Sequence, residues 1–342
     1  MRQGELMGDV YDLLNGWNSP KKTIDFVKDD IHGEEGIQII TADAEEALET
    51  LILNYFDALI VDPPYGVNIN PKWDGNLPRA EVWMRCCNVL KPGGHMIIFG
   101  QPSMAHEFFS IMETARHRLI QNKDKSFDFR DMWIWAYQGT HTKGFKTEDG
   151  SFRSKIRNIY NPIYVYRKEI EGTEEENWKR WGTNLLNIDP VRQEYKGNHL
   201  GIIEKFERTG KKHLQSDKPS NTFRELKRKG WVPDEKGAEP TNIQYCPRAT
   251  NAERTINGQI ENNHETVKPI SLLLWLIMLV THNTNQIVLD CFSGTGSTGV
   301  ACKLLGRKFV GIDNDVNMVK LANFRIKHAH EIDPSLFKRR PV

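Results

Sequence analysis

The chain has 342 residues, 39% of them hydrophobic and 27% charged, which is typical of a globular protein with about two domains or one large α/β unit carrying an insertion. Its formal net charge of +1 indicates no partner, so a nucleic-acid surface would have to come from local basic patches. The longest apolar run, 272–280, is too short to span a membrane, and the first residues lack the apolar segment of a signal peptide. An odd number of cysteines without CxxC or zinc-like spacing predicts reduced thiols in a cytoplasmic protein and no metal site; they are Cys86, Cys87, Cys246, Cys291 and Cys302.

Residues 1–35 are polar and form a predicted N-terminal extension, in which an amphipathic pattern over 5–14 suits packing on the core or a subunit contact. A short strand is predicted over 37–40, and a helix begins soon after it. Asp43 lies between the two. Its carboxylate suits capping of the helix and contact with a cofactor equally well.

The apolar run 56–61 predicts a buried strand of a parallel sheet, and Asp62-Pro63-Pro64-Tyr65 follows it directly. The two prolines end the strand and stiffen a loop at its carboxyl end, where open α/β sheets bind ligands. A carboxylate, unpaired backbone carbonyls and an aromatic face suit a flat heterocycle with an exocyclic amine. A strand-ending turn is the simpler interpretation of these four residues taken alone.

Strands and helices then alternate at the spacing of βαβ units, which predicts a parallel sheet. Helices are predicted over 79–90 and 103–114, a turn over 91–94, and strands over 95–100, 132–136 and 163–166.

Two polar regions carry the candidate nucleic-acid contacts. A basic loop, 140–158, lies between two aromatic-rich strands and carries Lys143, Lys146 and Arg153. An acidic run over 171–176 suggests a solvated face or a linker, and the apolar periodicity then fades until about 245. Within this less periodic region, residues 201–230 contain nine Lys/Arg and four Asp/Glu. Such a basic segment suits binding to a phosphate backbone but also a charged protein surface. The candidate DNA contacts here are Lys211, Lys212, Lys227 and Arg228.

The α/β pattern resumes at about 262, with an apolar helix over 271–280 and a strand over 286–290. Gly294-x-Gly296-x-x-Gly299 follows, in the strand–turn–helix setting of a dinucleotide fingerprint. Asp313 ends the next strand, 19 residues after Gly294, a spacing that suits a carboxylate on ribose hydroxyls. NAD and S-adenosylmethionine both present such a ribose, so the fingerprint alone does not separate them.

Two observations favour S-adenosylmethionine. Asp290 lies at the strand end just before the glycine loop, where its carboxylate can face a cation or an amino group. A hydride cofactor would leave the Asp62 loop without a role, whereas a methyl donor needs a nucleophile held opposite it. Before the apolar helix, Thr266 suits a helix cap and Lys268 a pair with a carboxylate near the helix N-terminus, but their proximity to the glycine loop favours a role in cofactor binding.

These residues resemble the β-type amino-methyltransferases of DNA. The matching stretches are 62–65, 161–168, 264–269 and 290–299, with the catalytic loop before the cofactor loop. The resemblance implies a doubly wound, mostly parallel Rossmann-like methyltransferase sheet, circularly permuted, with an inserted target-recognition region. The implied divisions are a catalytic half, 36–170; the target-recognition region, 171–245; a cofactor half, 246–330; and a basic tail, 331–342. The sequence departs from the family pattern at Cys291, Thr295 and Glu265.

By the same resemblance, Asp43 lies near the cofactor adenine and Asp313 on its ribose, while the methionine side is lined by Thr266, Lys268, Asp290, Phe292, Ser293, Gly294 and Gly296. The implied reaction is methyl transfer from S-adenosylmethionine to N6 of an adenine rotated out of double-stranded DNA, in a prokaryotic or phage-infected cell. Asp rather than Ser before Pro-Pro favours adenine over cytosine N4 by family habit. An amine of RNA or protein is a further candidate substrate, a non-catalytic binding module is a competing interpretation, and a homodimer is compatible with the family.

Overall fold

The computed structural model describes residues 36–67, 75–137, 144–147, 150–153, 158–192 and 239–336. The predicted N-terminal extension 1–35 and residues 337–342 of the basic tail lie outside these ranges, as do the DNA-contact candidates Lys143, Lys211, Lys212, Lys227 and Arg228.

Within the described residues the chain forms ten β-strands: β1 (Ile37–Thr41), β2 (Phe56–Val61), β3 (Leu90–Phe99), β4 (Phe127–Ala136), β5 (Gly144–Thr147), β6 (Gly150–Arg153), β7 (Tyr160–Lys168), β8 (Ile243–Tyr245), β9 (Ile287–Asp290) and β10 (Lys308–Asp313). The α-helices of the same ranges are α1 (Ala44–Thr50), α2 (Ala80–Val89), α3 (Ala105–Gln121), α4 (Glu174–Trp181), α5 (Asn251–Thr255), α6 (Ile270–Val280), α7 (Ser297–Leu304) and α8 (Val316–Lys327).

Eight strands form one sheet in the order β1-β10-β9-β2-β3-β7-β4-β8, and β5 pairs with β6 as a separate hairpin. Only β7 runs antiparallel to its two neighbours in the large sheet. Alternate side chains of β2 point to opposite faces: Leu59 and Val61 pack with α1, α2 and α3, whereas Ala58 and Ile60 pack with α6 and α7. The predicted doubly wound, mostly parallel α/β fold is confirmed.

The position of the site follows from the direction of two crossovers. From β2 the chain passes through α2 on one face to β3, and from β9 it passes through α7 on the other face to β10. Since β2 and β9 are neighbours, the strand order reverses between them. Loops after these two strands therefore lie side by side at a topological switch point, where doubly wound sheets bind ligands.

The predicted turn 91–94 is found inside β3, which begins at Leu90. Phe56 pairs with Leu90 and Ala58 with His95, so four residues bulge out of the ladder. Lys91 in this bulge pairs with the buried carboxylate of Asp57 at 2.7 Å, which keeps the segment on the sheet. The predicted strand 95–100 is correspondingly longer. Helix α3 also extends seven residues beyond the predicted end at 114.

The acidic run 171–176 leads into α4. Thr173 and Glu176 cap the helix reciprocally, and the acidic first turn suits the positive end of the helix dipole. Glu174 and Glu175 are exposed, as expected of a solvated face. The linker interpretation is wrong, because Asn177 is fully buried and donates to Pro92 O at 3.1 Å. The predicted target-recognition region therefore begins in a segment packed on the sheet and ends in strand β8.

Candidate active site

The predicted catalytic loop begins directly after β2. Asp62 is its first residue, Pro63 is buried and Pro64 is half-buried. The Tyr65 hydroxyl donates a hydrogen bond to Asp62 Oδ1, and Lys268 Nζ pairs with Asp62 Oδ2. The Asp62 side chain is 24% exposed. Both oxygens of this carboxylate are thus held in place while one side of the group remains open.

Lys268 carries its charge in a largely apolar environment. Its side chain is 8% exposed, and Nζ lies 5.2 Å from the ring centroid of Phe99 and 5.7 Å from that of Tyr65. The ammonium also donates to Thr266 O at 3.4 Å. Charge pairs act more strongly where water is excluded, so the contact with Asp62 is a strong local constraint. The predicted pairing of Lys268 with a carboxylate is present, and its partner is Asp62 of the predicted catalytic loop.

The segment before α6 is held by a neighbouring short helix. Helix α6 begins at Ile270, and its N-cap, Pro269, has no side chain to donate or accept. Instead, Glu253 Oε1 accepts a hydrogen bond from Ile270 N at 3.1 Å. Thr266 does not cap this helix, which was the simpler of its two predicted roles, since it lies four residues before the first helical residue and contacts His264 Nδ1 at 3.5 Å.

Asp290 ends β9 and is only 3% exposed. Its carboxyl accepts hydrogen bonds from Phe292 N at 3.1 Å and from Thr298 Oγ1 at 2.7 Å, which fix the start of the glycine loop. Burial raises the pKa of Asp290 to about 7 despite these two bonds. No cation among the described residues pairs with it. The group is therefore poised to ionise fully when a cationic ligand arrives.

The three glycines of the loop have different roles. Gly296 has φ +74°, and a Cβ there would come within 2.7 Å of Ala322 on α8. A Cβ on Gly299 would lie 2.8 Å from the Phe309 ring. These two glycines allow helix and strand to pack closely. Gly294, with φ +50°, has nothing within 4 Å of the position of a Cβ, so the backbone there faces open space that a ligand can enter.

The residues around this open backbone fit an adenosyl cofactor. Asp313 Oδ2 accepts from Gly294 N at 2.7 Å, and burial raises the pKa of Asp313. Ser293 Oγ is buried and has no hydrogen-bond partner within the described residues, which is costly unless a ligand or water supplies one. Asp43 Oδ1 caps α1 by accepting from Glu45 N at 2.8 Å, as one of its two predicted roles requires.

The carboxyl edge of the sheet brings these groups together. Asp43 follows β1, Asp313 ends β10, Asp290 ends β9 and Asp62 follows β2, and these four strands are consecutive neighbours in the sheet. The predicted catalytic and cofactor residues therefore meet along one edge. Of the predicted DNA contacts, two lie on the separate hairpin β5–β6: Lys146 and Arg153.

Sequence reasoning missed a buried arginine behind the glycine loop. Arg325 on α8 is fully buried, and burial lowers its pKa to about 10. Its guanidinium donates to Thr295 O, to Ser297 Oγ at 3.1 Å and to Glu253 O at 3.0 Å. Arg325 thus links the glycine loop to α5, whose Glu253 caps α6. Its place in an amphipathic helix gave no signal, because an arginine there normally faces solvent.

None of the helices in the described residues has the length and apolar character that crossing a membrane requires. The same residues contain no cluster of His, Cys, Asp or Glu that could hold a metal ion. A carboxylate loop beside a glycine loop, at the switch point of a doubly wound sheet, is the arrangement that the sequence predicted for a cofactor-dependent transferase.

A model of the DNA methylase family matches residues 56–324, and the chain belongs to this family. Among its relatives, the type II methyltransferase M.BglI of Bacillus subtilis is 36% identical over 316 residues, covering 83% of this chain and 84% of the relative. The DNA adenine methyltransferase YhdJ of Escherichia coli (strain K12) is 25% identical over 305 residues, covering 86% of this chain and 84% of the relative. The PvuII DNA methyltransferase (cytosine-N4-specific) superposes with a TM-score of 0.51 at 15% identity, covering 88% of this chain and 93% of its own, and shares the fold.

The family predicted from the sequence motifs is therefore confirmed. The chain is a DNA methyltransferase, its methyl donor is S-adenosyl-L-methionine, and DNA is its substrate.

Proposed function

We propose that the chain methylates N6 of adenine at specific sites in double-stranded DNA. The observation that carries this proposal is the position of the partly exposed Asp62 after β2, the neighbour of the strand β9 that leads to the open backbone of Gly294. The choice of adenine is supported by Asp62 before Pro-Pro and by the likeness to YhdJ, a DNA adenine methyltransferase.

In this proposal Asp62 and Pro63 act on the amine of a base rotated out of the duplex, because that amine is unreachable in the stack. The lone pair of adenine N6 is delocalised into the ring. Hydrogen bonds from its N–H groups to the Asp62 carboxylate and the Pro63 carbonyl favour the pyramidal, nucleophilic form. When bound, S-adenosyl-L-methionine supplies an electrophilic methyl group. The nitrogen releases one proton on methylation, and we assign its uptake to the Asp62 carboxylate.

Tyr65 and Lys268 position this carboxylate. Each Asp62 oxygen can accept more than one hydrogen bond, so the contacts already made leave room for an amine. Fixed geometry of this kind lowers the barrier by holding the reacting atoms together. The Tyr65 ring is 6% exposed, so stacking of the base on it requires the base to replace the groups that now cover the ring.

On the cofactor side, we infer that Asp313 binds the ribose hydroxyls, that Asp43 lies near the adenine, and that Asp290 faces the methionine ammonium. The unpartnered Ser293 hydroxyl and the open backbone of Gly294 support this placement. Residues 171–245 are assigned to target recognition, although their first and last segments belong structurally to the methyltransferase sheet.

The proposal is tested by expressing the chain in methylation-free cells and analysing the DNA. Mass spectrometry of nucleosides is expected to show N6-methyladenine, and long-read sequencing to place it in one short motif. Asp62→Ala is expected to abolish the product while cofactor binding, measured by calorimetry, stays nearly unchanged. N4-methylcytosine as the product would refute the adenine assignment. Wild-type methylation by Asp62→Ala would refute the assigned role of the loop.

A further inference from the structure

The carboxyl edge of the sheet continues beyond the catalytic loop, away from the cofactor. The ladder runs β2, β3, β7, β4, β8, and the residues at this edge follow in the same order. Gly100 N bonds to Pro162 O at 3.0 Å, Tyr137 N to Ile159 O at 2.8 Å, and Cys246 N to Ala136 O at 2.9 Å. The edge is therefore a continuous, hydrogen-bonded row from Gly100, after β3, to Cys246, after β8.

At the far end of this row, Arg248 lies over the ring of Tyr137, with Cζ 4.6 Å from the ring centroid. The arginine is exposed, and among the residues that the structure describes it makes no ion pair. A guanidinium stacked on an aromatic ring is fixed in orientation and keeps its in-plane N–H groups available for an oxyanion.

The ring beneath Arg248 is itself held. Tyr137 Oη contacts Asn161 Oδ1 at 2.5 Å, and Asn161, 6% exposed, donates to Gly100 O at 3.0 Å. On the other side, Trp135 Nε1 donates to Cys246 O at 2.7 Å, two residues before Arg248. The platform is thus braced from both neighbouring strands, unlike a surface arginine on a mobile side chain.

We propose that Arg248, stacked on Tyr137, binds a backbone phosphate of the DNA flanking the target base. Four strand spacings separate β2 from β8, about 19 Å along the edge. Tyr137, after β4, is one spacing nearer; since one DNA strand rises about 3.4 Å per nucleotide, the pair lies about four to six nucleotides from the base held at Asp62. A phosphate fits better than a base edge because the arginine is set at the rim of the sheet, outside the region 171–245 assigned to sequence recognition.

This inference rests on the proposed action on double-stranded DNA, and its test separates the two. Methylation of DNA by the wild type is measured first. Binding of a fluorescent mixed-sequence duplex is then followed by anisotropy between about 50 and 200 mM salt, with bound cofactor. Arg248→Gln is expected to lower the magnitude of the slope of log K against log salt by about 0.9, as loss of one phosphate contact requires. The ratio of wild-type to variant affinity should therefore fall about 3.5-fold as the salt concentration rises from about 50 to 200 mM.

Arg118→Gln is the control. Arg118 is also exposed, but it lies in the last turn of α3, before the chain enters the amino end of β4, on the opposite edge of the sheet and outside the region 171–245. Its slope and affinity should equal those of the wild type. Arg248→Lys keeps the charge and should keep the slope while binding more weakly. Tyr137→Phe should weaken binding with an unchanged slope, since the ring remains and its brace is lost.

An Arg248→Gln variant with the wild-type slope would overturn the inference, as would an equal effect of Arg118→Gln. Altered methylated motifs in Arg248→Gln, with an unchanged slope, would assign the residue to a base edge and refute the phosphate contact. Absence of methylation by the wild type would refute the proposed function, whatever the binding data show.

Discussion

Removing the charge of Asp290 should stabilise the apoprotein and weaken its cofactor binding. Asp290 is buried without a cation partner among the described residues, and its pKa is raised from 3.8 to about 7. Between these values the native state holds a proton that the unfolded state has lost. The native state therefore binds more protons, and stability falls as pH rises from about 4 to about 7. Asp290→Asn keeps the shape and removes this titration.

The magnitude follows from the two pKa values. One pKa unit corresponds to about 1.36 kcal/mol, so burying this carboxyl costs about 2 kcal/mol of folding free energy near pH 5, where it takes up a proton, and about 4 kcal/mol near pH 8, where it ionises. The free energy of unfolding of Asp290→Asn should exceed that of the wild type by those amounts. The Asn oxygen can still accept from Phe292 N, and Thr298 can accept from the new amide.

Urea unfolding of the cofactor-free protein at several pH values measures this difference. Asp57→Asn is a matched control: Asp57 is 2% exposed and equally central in the sheet, but it pairs with Lys91 at 2.7 Å. That variant should be destabilised, because it leaves a cation without its partner. If Asp290→Asn is no more stable than the wild type near pH 8, or if the gap does not narrow towards pH 5, the carboxyl is not the uncompensated buried acid that we infer.

Cofactor binding by Asp290→Asn should move in the opposite direction. A carboxylate facing the methionine ammonium contributes a charge-assisted hydrogen bond worth about 1.5–3 kcal/mol, so calorimetry should show affinity for S-adenosyl-L-methionine reduced by at least about tenfold. Wild-type affinity should rise through pH 7 as Asp290 ionises, whereas that of the variant should not. Unchanged affinity and an unchanged pH profile would place the ammonium elsewhere.

Three further substitutions separate packing from ligand contact. Gly296→Ala should lower the unfolding free energy by more than about 2 kcal/mol in urea titrations, since it combines a positive φ with a contact to Ala322. Gly294→Ala should cost only about 1 kcal/mol but abolish detectable cofactor binding by calorimetry, because its Cβ enters the open space; equal stability losses in the two variants would contradict this division. Lys268→Met should reduce methyl transfer at saturating cofactor by about tenfold or more while cofactor affinity changes little, and a selective loss of cofactor affinity would return Lys268 to the cofactor side.

The sheet and its two loops could be predicted because each depends on local sequence. A buried strand reads as a continuous apolar run, and Asp-Pro-Pro-Tyr and the spaced glycines carry their own turn chemistry. The bulge over 91–94 was predicted as a turn for the same reason: Pro92 and Gly93 do break regular pairing. The strand continues through this bulge because Asp57 pairs with Lys91 and Asn177 donates to Pro92 O, and such tertiary contacts leave no local signal.

The contacts that join the two loops were harder to predict than the loops themselves. Thr266 has the chemistry of a helix cap, but a carboxylate from another segment, Glu253, takes that role. Arg325 is a charged residue whose burial depends on carbonyl and hydroxyl acceptors supplied by the glycine loop. Local pattern predicts what a residue can do, whereas these two outcomes depend on which partner the fold brings within reach.

The site does not depend on the order of its loops along the chain. Asp62 and Asp290 are far apart in sequence, yet β2 and β9 are neighbours and run parallel, so both loops emerge at the same edge. Because the chain leaves β2 and β9 towards opposite faces of the sheet, a crevice forms between the two loops, with room for two ligands. Lys268, just before α6 and therefore just before β9, reaches across to Asp62. A circular permutation that keeps β2 beside β9 would therefore preserve the site. Its geometry is set by this pair of neighbouring strands and by the contact between Lys268 and Asp62.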